Sequence, residues 1–305
     1  MSSGVMTTGT FPKLLVPGIN QLFGIDYAKL PKIREMLFDL RTSDKYFEED
    51  VELHGIGVAS VKNEGGAIAF DSMGQGLIQR YTHLTYGKGM TITKESVEDN
   101  QYQSHIARMA PELAKSLNEA METEAANILN RAFNTTYTFA DGQPLCDTDK
   151  VVSGTGGTYQ NRLTTFADLS ETALEQAVID IHGLVAADGL RMDVNPVCLI
   201  VPKEEQFNAL RILKTDGRVQ TADNDLNALK TMGMIPKIVM WRYLTDVDAW
   251  FIKTDVKDGL VFMNRRAPAV DSDNEFTTDN MLFKATARFS VGSSNQRGIY
   301  GSQGA

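Results

Sequence analysis

Between Ile106 and Leu129, apolar side chains recur at spacings of three and four: Ile106, Met109, Leu113, Leu117, Met121, Ala125, Ile128 and Leu129. A helix brings such positions to one side, because it completes a turn in 3.6 residues. Glu112, Lys115, Glu119, Glu122 and Arg131 fall off the stripe. Residues 101–134 are therefore predicted to form one amphipathic helix with a charged outer face. At 1.5 Å per residue it would be about 45–50 Å long. Pro111 lacks the backbone donor and crowds the preceding turn, so the main helix starts there or kinks there. A rod of this length outspans the core of a compact domain, which predicts an extended molecule built on a spine.

The rest of the chain supplies material for that molecule. With 42% hydrophobic and 23% charged residues among 305, intrinsic disorder is excluded and about two domains are expected. Lys+Arg 30 against Asp+Glu 39 leaves a formal charge of −9. Gripping nucleic acid through its phosphates needs the opposite balance, although DNA could still be a neighbour that the surface must not hold. Cys146 and Cys198 cannot build a disulfide framework. Cys198 is expected as a buried strand thiol and Cys146 as an incidental loop thiol. The start, MSSGVMTTGTFPKLLVPG, lacks the basic-then-apolar pattern of a signal peptide, and no run of about 18 apolar residues occurs. The expectation is a soluble chain with no membrane partner.

Residues 1–30 are weakly patterned and punctuated by Pro12 and Pro17, which fits a frayed terminus or an arm that packs on something else. Residues 31–41 are predicted as a short helix with Ile33, Met36, Leu37 and Leu40 on one face. From Tyr46 to Thr93 the period changes to two. Val51 and Leu53 alternate with polar residues, and Ile56 and Val58 continue after a slip at Gly55, where a bulge is expected. Turns are predicted at 63–66 and 72–76, followed by a strand carrying Leu84, Tyr86, Met90 and Ile92. This β excursion holds too few large apolar residues for its own core. It is either a surface hairpin or an arm that is stable only against a neighbour.

Past a polar loop region at 134–165, helix and strand alternate. Helices are expected over 169–188, capped by Ser170 and stopped by Gly189, and over 203–214 with Phe207, Leu210 and Leu213 inward. Strands are expected at 195–202, 238–243, 249–254, 260–263 and 284–291. The fold class is α+β, with an insertion carrying its own αβα layer.

Chemistry-bearing patterns are absent from this sequence. Gly154-Thr155-Gly156-Gly157 lacks the Gly-Lys-Ser/Thr ending of a P-loop and reads as a surface loop. His54, His83, His105 and His182 make no metal-ligand spacing and read as surface or core-edge residues. Asp271–Glu275 and Asp223–Asn227 resemble the start of a calcium loop, but Phe276 and Ala228 stand where the glycine belongs, so both read as solvated turns. No catalytic, cofactor-binding or metal-binding residue is nominated, and the arm, excursion and spine argue for an assembly protein over an enzyme.

Several stretches are familiar in their order and distances: 133–137 (FNTTY), 141–150 (DGQPLCDTDK), 159–163 (YQNRL), 221–230 (TADNDLNALK), 244–255 (LTDVDAWFIKTD) and 283–302 (FKATARFSVGSSNQRGIYGS). Over about residues 36–302 they resemble the major capsid (head) subunit of Mu-like tailed phages. Cys146–Lys150 departs from the Ser/Thr-His-Pro turn of relatives. The resemblance implies the Hong Kong 97-type phage capsid fold, divided as N-terminal arm 1–45, E-loop and flanking strands 46–95, P-domain with spine helix 96–139, A-domain 140–245 and a return to the P-domain 246–305. It also implies self-assembly through hexamers and pentamers into an icosahedral head in the host cytoplasm, enclosing double-stranded genomic DNA without specific binding, with scaffold/protease and portal proteins as partners and no cofactor. The alternatives are an encapsulin-like nanocompartment shell with a cargo enzyme inside and, less well supported, a soluble α/β enzyme.

Overall fold

The computed structural model describes residues 23–93, 95, 102–217, 226–275, 277, 278 and 280–305, with side chains of the long helix described from Pro111 onward. A helical stretch over 23–29 is followed by α1 (Arg34–Leu37), β1 (Asp39–Thr42), β2 (Phe47–His54), β3 (Gly74–Thr82), β4 (Leu84–Ile92) and the long helix α2 (Tyr102–Asn130). Next come the short pair β5 (Lys150–Val151) and β6 (Thr158–Tyr159), then α3 (Glu171–His182), β7 (Pro196–Val201), α4 (Gln206–Lys214) and α5 (Ala228–Met232). The chain ends with β8 (Lys237–Met240), β9 (Trp250–Thr254), β10 (Val261–Asn274), β11 (Met281–Gly292) and β12 (Ile299–Ser302).

The spine exists as one helix that runs through Pro111. Leu113, Leu117, Met121, Ala125 and Leu129 of its stripe are buried, sharing a core with Phe283, Ala285, Ala287 and Phe289 of β11. That core lies on a sheet of order β1-β10-β11-β4. β11 pairs antiparallel with both neighbours, from Met281 opposite Ile92 to Phe289 opposite Leu84 on one side, so the C-terminal segment is the middle of the sheet. Ile106, Met109 and His105 lie where no side chains are described.

Glu122 departs from the sequence reading. Instead of facing solvent it is 1% exposed and takes a 2.7 Å ion pair from Arg34, itself 2% exposed. Asn118 accepts a second Arg34 hydrogen bond at 2.8 Å, Tyr27 a third at 2.7 Å, and Trp241 donates its indole N–H to Glu122 at 3.2 Å. The helix periodicity located the stripe, but only the segment laid across its edge could turn an acid inward. A buried charge needs such a partner, since left alone it would cost several kcal/mol.

The same segment corrects the expected helix at 31–41. It stops at Leu37, and Asp39–Thr42 pairs parallel with Val261–Asn264. Arg34, Leu37 and Phe38 are buried, while Met36 and Leu40 are about half exposed. Sheet pairing outweighed a weak local propensity.

The second sheet has order β12-β9-β7-β8. Leu199, Val201, Trp250 and Ile252 join Leu174, Ile181, Ile212, Leu213 and Leu229 in a core with α3, α4 and α5. On the opposite face Cys198, Ile200, Val239 and Phe251 join the core under α2. A strand buried on both faces reads as a continuous apolar run, as β7 does. The expected αβα layering is therefore completed by the core under α2 rather than by a helix of the insertion.

Other expectations shift in detail. Ser170 caps α3 by accepting from the Ala173 N–H, but the helix ends at Gly183, and Gly189 serves a later turn at φ 82°. In α4 the buried face is Ala209, Ile212 and Leu213; Phe207 is 71% exposed and Leu210 lies at the surface, one step round from the face the sheet covers. Cys146 is 1% exposed, and burial pushes its thiol pKa up to about 12, so it is a core residue and not an incidental loop thiol. Asp271–Asn274 is no turn: it continues β10, opposite Met281–Lys284. The Gly66 N–H closes the turn at 63–66 on the Asn63 carbonyl at 3.0 Å, whereas the turn expected at 72–76 is absent because β3 begins at Gly74.

Candidate assembly interface

β2 and β3 pair antiparallel from Phe47–Thr82 to His54–Gly74, with the register shift between Val51 and Leu53 rather than at Gly55. The ribbon inverts the usual burial order. Asp50, Glu52 and His54 on one side of β2 are half-buried, while Val51 and Leu53 on the other are exposed, beside an exposed Ile78 on β3. Period two gave the alternation; the side that faces the body was decided by polar anchors.

Those anchors are explicit. Arg41 pairs with Asp50 at 2.7 Å and Asp258 at 2.5 Å. Ser294 donates to Asp50 and sits against the Tyr81 hydroxyl, whose pKa is raised chiefly by burial. Arg297 pairs with Glu52 at 3.0 Å, and Ser153 donates to its other oxygen at 2.8 Å. Gln79 accepts from the Ala140 N–H at 3.0 Å. The loop at 154–157 is exposed, as its reading as a surface loop expects, and it begins against the ribbon root: the Gly154 N–H donates to the Ala187 carbonyl at 2.8 Å, and a Cβ on Gly154 would lie 2.4 Å from that oxygen and 3.1 Å from the His54 side chain. Arg41, Asp50, Glu52, Tyr81 and Arg297 were not singled out from the sequence. Their partners lie up to 245 positions away, so no local pattern marks them.

At the other end of the ribbon, residues 56–73 are all exposed. Val58 is 82%, Val61 93% and Phe70 95% exposed, with Ile56, Ile68 and Met73 also open. The tip is held across its base by Asp71, which accepts from the Gly57 N–H at 2.9 Å and the Ser72 N–H at 2.8 Å; these backbone bonds hold its carboxyl below the usual range. Rooted by charge and apolar outward, the ribbon presents a surface that this chain leaves uncovered among its described residues.

The histidines have structural places. His83, the single residue between β3 and β4, is 3% exposed and lies between the Ser43 hydroxyl (3.1 Å) and the Ser290 hydroxyl (2.9 Å). His182 is exposed and His54 half-buried at the ribbon root. Of the second acidic stretch, 223–225 lie outside the described residues; Asn227 is buried and caps α5. Among the described residues no three metal-ligating side chains cluster, and no helix is long and apolar enough to cross a membrane.

Residues 77–302 match the family described as phage capsid protein, well over half of the sequence. The chain belongs to the phage capsid protein family. Among solved structures, this capsid protein resembles a virus-like particle from Pyrococcus furiosus, at 9% identity and TM-score 0.56, covering 94% of this chain and 99% of that one. It also resembles the procapsid of bacteriophage JBD30, at 13% identity and TM-score 0.56, over 97% and 76% of the two chains. The capsid of cyanophage P-SCSP1u gives 12% identity and TM-score 0.55 over 90% and 88%. No curated protein matches the sequence. The fold is thus the Hong Kong 97-type capsid fold, shared at identities where only architecture is held in common. As a major capsid protein the chain must meet copies of itself, and among the described residues the ribbon tip holds its most exposed large apolar side chains, Val58, Val61 and Phe70.

Proposed function

We propose that this is the major head subunit of a Mu-like tailed phage, assembling with itself into hexamers and pentamers that close an icosahedral shell around double-stranded DNA. The observation that carries the reading is the ribbon: Val51, Leu53 and Ile78 face outward and lead to a tip whose apolar side chains are all exposed. An isolated two-stranded ribbon is marginal in water, so these side chains gain stability only against a neighbour. The formal charge of −9 suits a wall that must not clamp the genome it lines.

In this reading 1–45 is the N-terminal arm, 46–95 the E-loop with its flanking strands, 96–139 the P-domain with the spine helix, and 140–245 the A-domain. Residues 246–305 return to the P-domain, giving β10 and β11 to the sheet under the spine and β9 and β12 to the other sheet. Scaffold/protease and portal proteins would be the partners during assembly in the host cytoplasm, and the virion the final location. The role is structural and requires no cofactor.

Electron microscopy of the expressed chain, with and without its scaffold, tests the proposal. Closed shells or shell fragments with five- and six-fold rings are expected. A monodisperse monomer or dimer even with the scaffold present would overturn it, and purified particles holding a peptide-bound cargo enzyme would point to a nanocompartment instead.

A further inference from the structure

The β2–β3 ribbon is a sheet of its own, and the chain passes between it and the β1-β10-β11-β4 sheet at two crossings: residues 43–46 on the way out and His83 alone on the way back. One imidazole ties these crossings together. His83 is 3% exposed. Its Nε2 lies 3.1 Å from the Ser43 hydroxyl in the first crossing, and its Nδ1 lies 2.9 Å from the Ser290 hydroxyl of β11. Arg288, on the same strand as Ser290, donates to the His83 carbonyl at 3.4 Å.

The neighbours fix which ring nitrogen carries the hydrogen. The Ser43 hydroxyl gives its single hydrogen to Glu48 at 2.8 Å and accepts the Lys45 N–H at 3.2 Å. Towards His83 it can therefore only accept, so Nε2 is the N–H of the neutral ring. Nδ1 is then a bare acceptor, and Ser290 donates to it. A proton arriving on Nδ1 abolishes that bond unless the Ser290 hydroxyl turns round. It also sets a cation beside Arg288 and Arg265, with Glu48 the acid that opposes them. The remaining charged groups of the first crossing point to solvent: Asp44 is fully exposed 3.8 Å from Arg265, and the Lys45 side chain is 75% exposed.

We propose that His83 is a proton-operated clamp at the root of the ribbon. Neutral, it holds the two crossings to each other and to β11; protonated, it releases them and loosens the junction of ribbon and sheet, while the Arg41–Asp50 and Arg297–Glu52 pairs hold farther along. The device belongs to the subunit and stands whether or not the ribbon meets a neighbour. Burial, and then the Arg288 charge, push the ring's pKa below the ordinary histidine value, so release is expected on the acid side of that range.

Amide hydrogen exchange read by mass spectrometry at pH 8 and pH 5.5 tests the clamp. His83→Gln is the comparison at each pH, because its amide N–H and carbonyl can serve Ser43 and Ser290 without titrating. At pH 8 the two chains should agree. At pH 5.5 peptides spanning 43–48 and 82–86 should exchange about fivefold faster or more in wild type than in His83→Gln, with α2 and β11 peptides equal in both. Equal exchange of the two chains at pH 5.5 overturns the proposal. Acceleration spread evenly over α2 overturns it too, since that is global unfolding. Should His83→Gln fail to fold, the ring-nitrogen NMR shifts of wild type decide: an Nε2–H tautomer at pH 8, with protection at the two crossings lost in step with the ring's titration, supports the clamp. An Nδ1–H tautomer, or titration with no change in exchange, overturns it.

Discussion

Helix α2 keeps Leu113, Leu117 and Met121 at 2% exposure, whereas the ribbon tip leaves Val61 and Phe70 more than nine-tenths exposed. Both regions are seeded with large apolar side chains, and the difference lies in what their own chain can lay over them. From Leu113 to Leu129 the α2 stripe shares a core with β11, and closing that distant contact satisfies side chains and strand hydrogen bonds together. Residues 56–73 form no strand and are exposed throughout. The tip's apolar residues are left open to an encounter between molecules, as proposed, while those of α2 serve the subunit.

Removing residues 283–305 should have the largest effect. β11 is the shared partner of β10 and β4, so its loss strands the backbone groups of both and uncovers the α2 stripe. Insoluble protein is expected on expression; a soluble truncation that still assembles would mean α2 does not depend on this sheet.

Arg34→Ala should come next. It leaves Glu122 buried without its ion pair, a change that costs about 3–5 kcal/mol in such settings. Urea denaturation should show a lower midpoint with an unchanged slope. A midpoint equal to wild type would place the hold of residues 23–38 on α2 elsewhere, in Tyr27 or Phe38.

A smaller, pH-dependent effect belongs to His83 at the junction of ribbon and sheet. Burial is the chief cause that lowers its pKa, with the Arg288 guanidinium adding to it, while Glu48 opposes and Arg265 reinforces the shift; Ser43 and Ser290 are its hydrogen-bonding neighbours. A base whose folded pKa is depressed binds its proton more readily unfolded, so its contribution is intact above the ordinary histidine range and is lost as pH falls through it. Melting from pH 8 to pH 5.5 should show a steeper acid-side loss for wild type than for His83→Gln, and parallel curves would remove His83 from the account.

For the subunit itself, the smallest effect is expected from replacing 56–73 by a short Gly-Ser turn. All of these residues are exposed, so circular dichroism and thermal midpoint should stay within measurement error. Unfolding of this variant would break the contrast with α2, because the tip would then belong to the subunit's own core.

The sequence by itself determined the local grammar: the α2 stripe, the two-faced strand β7, the Ser170 cap, the strict alternation of β11 and the turn at 63–66. Each is set by interactions within a few residues, where spacing and side-chain type suffice. The ordered motifs also placed the chain among phage capsid proteins. The tertiary structure alone decided which face of an alternating ribbon is turned inward, that Glu122 is buried, that Cys146 is in the core, and that α1 yields to β1. Those outcomes depend on partners far along the chain, such as Arg34 for Glu122 and Arg297 for Glu52. Burial is a property of what lies opposite, and for a charged or half-apolar strand, spacing alone cannot say what that will be.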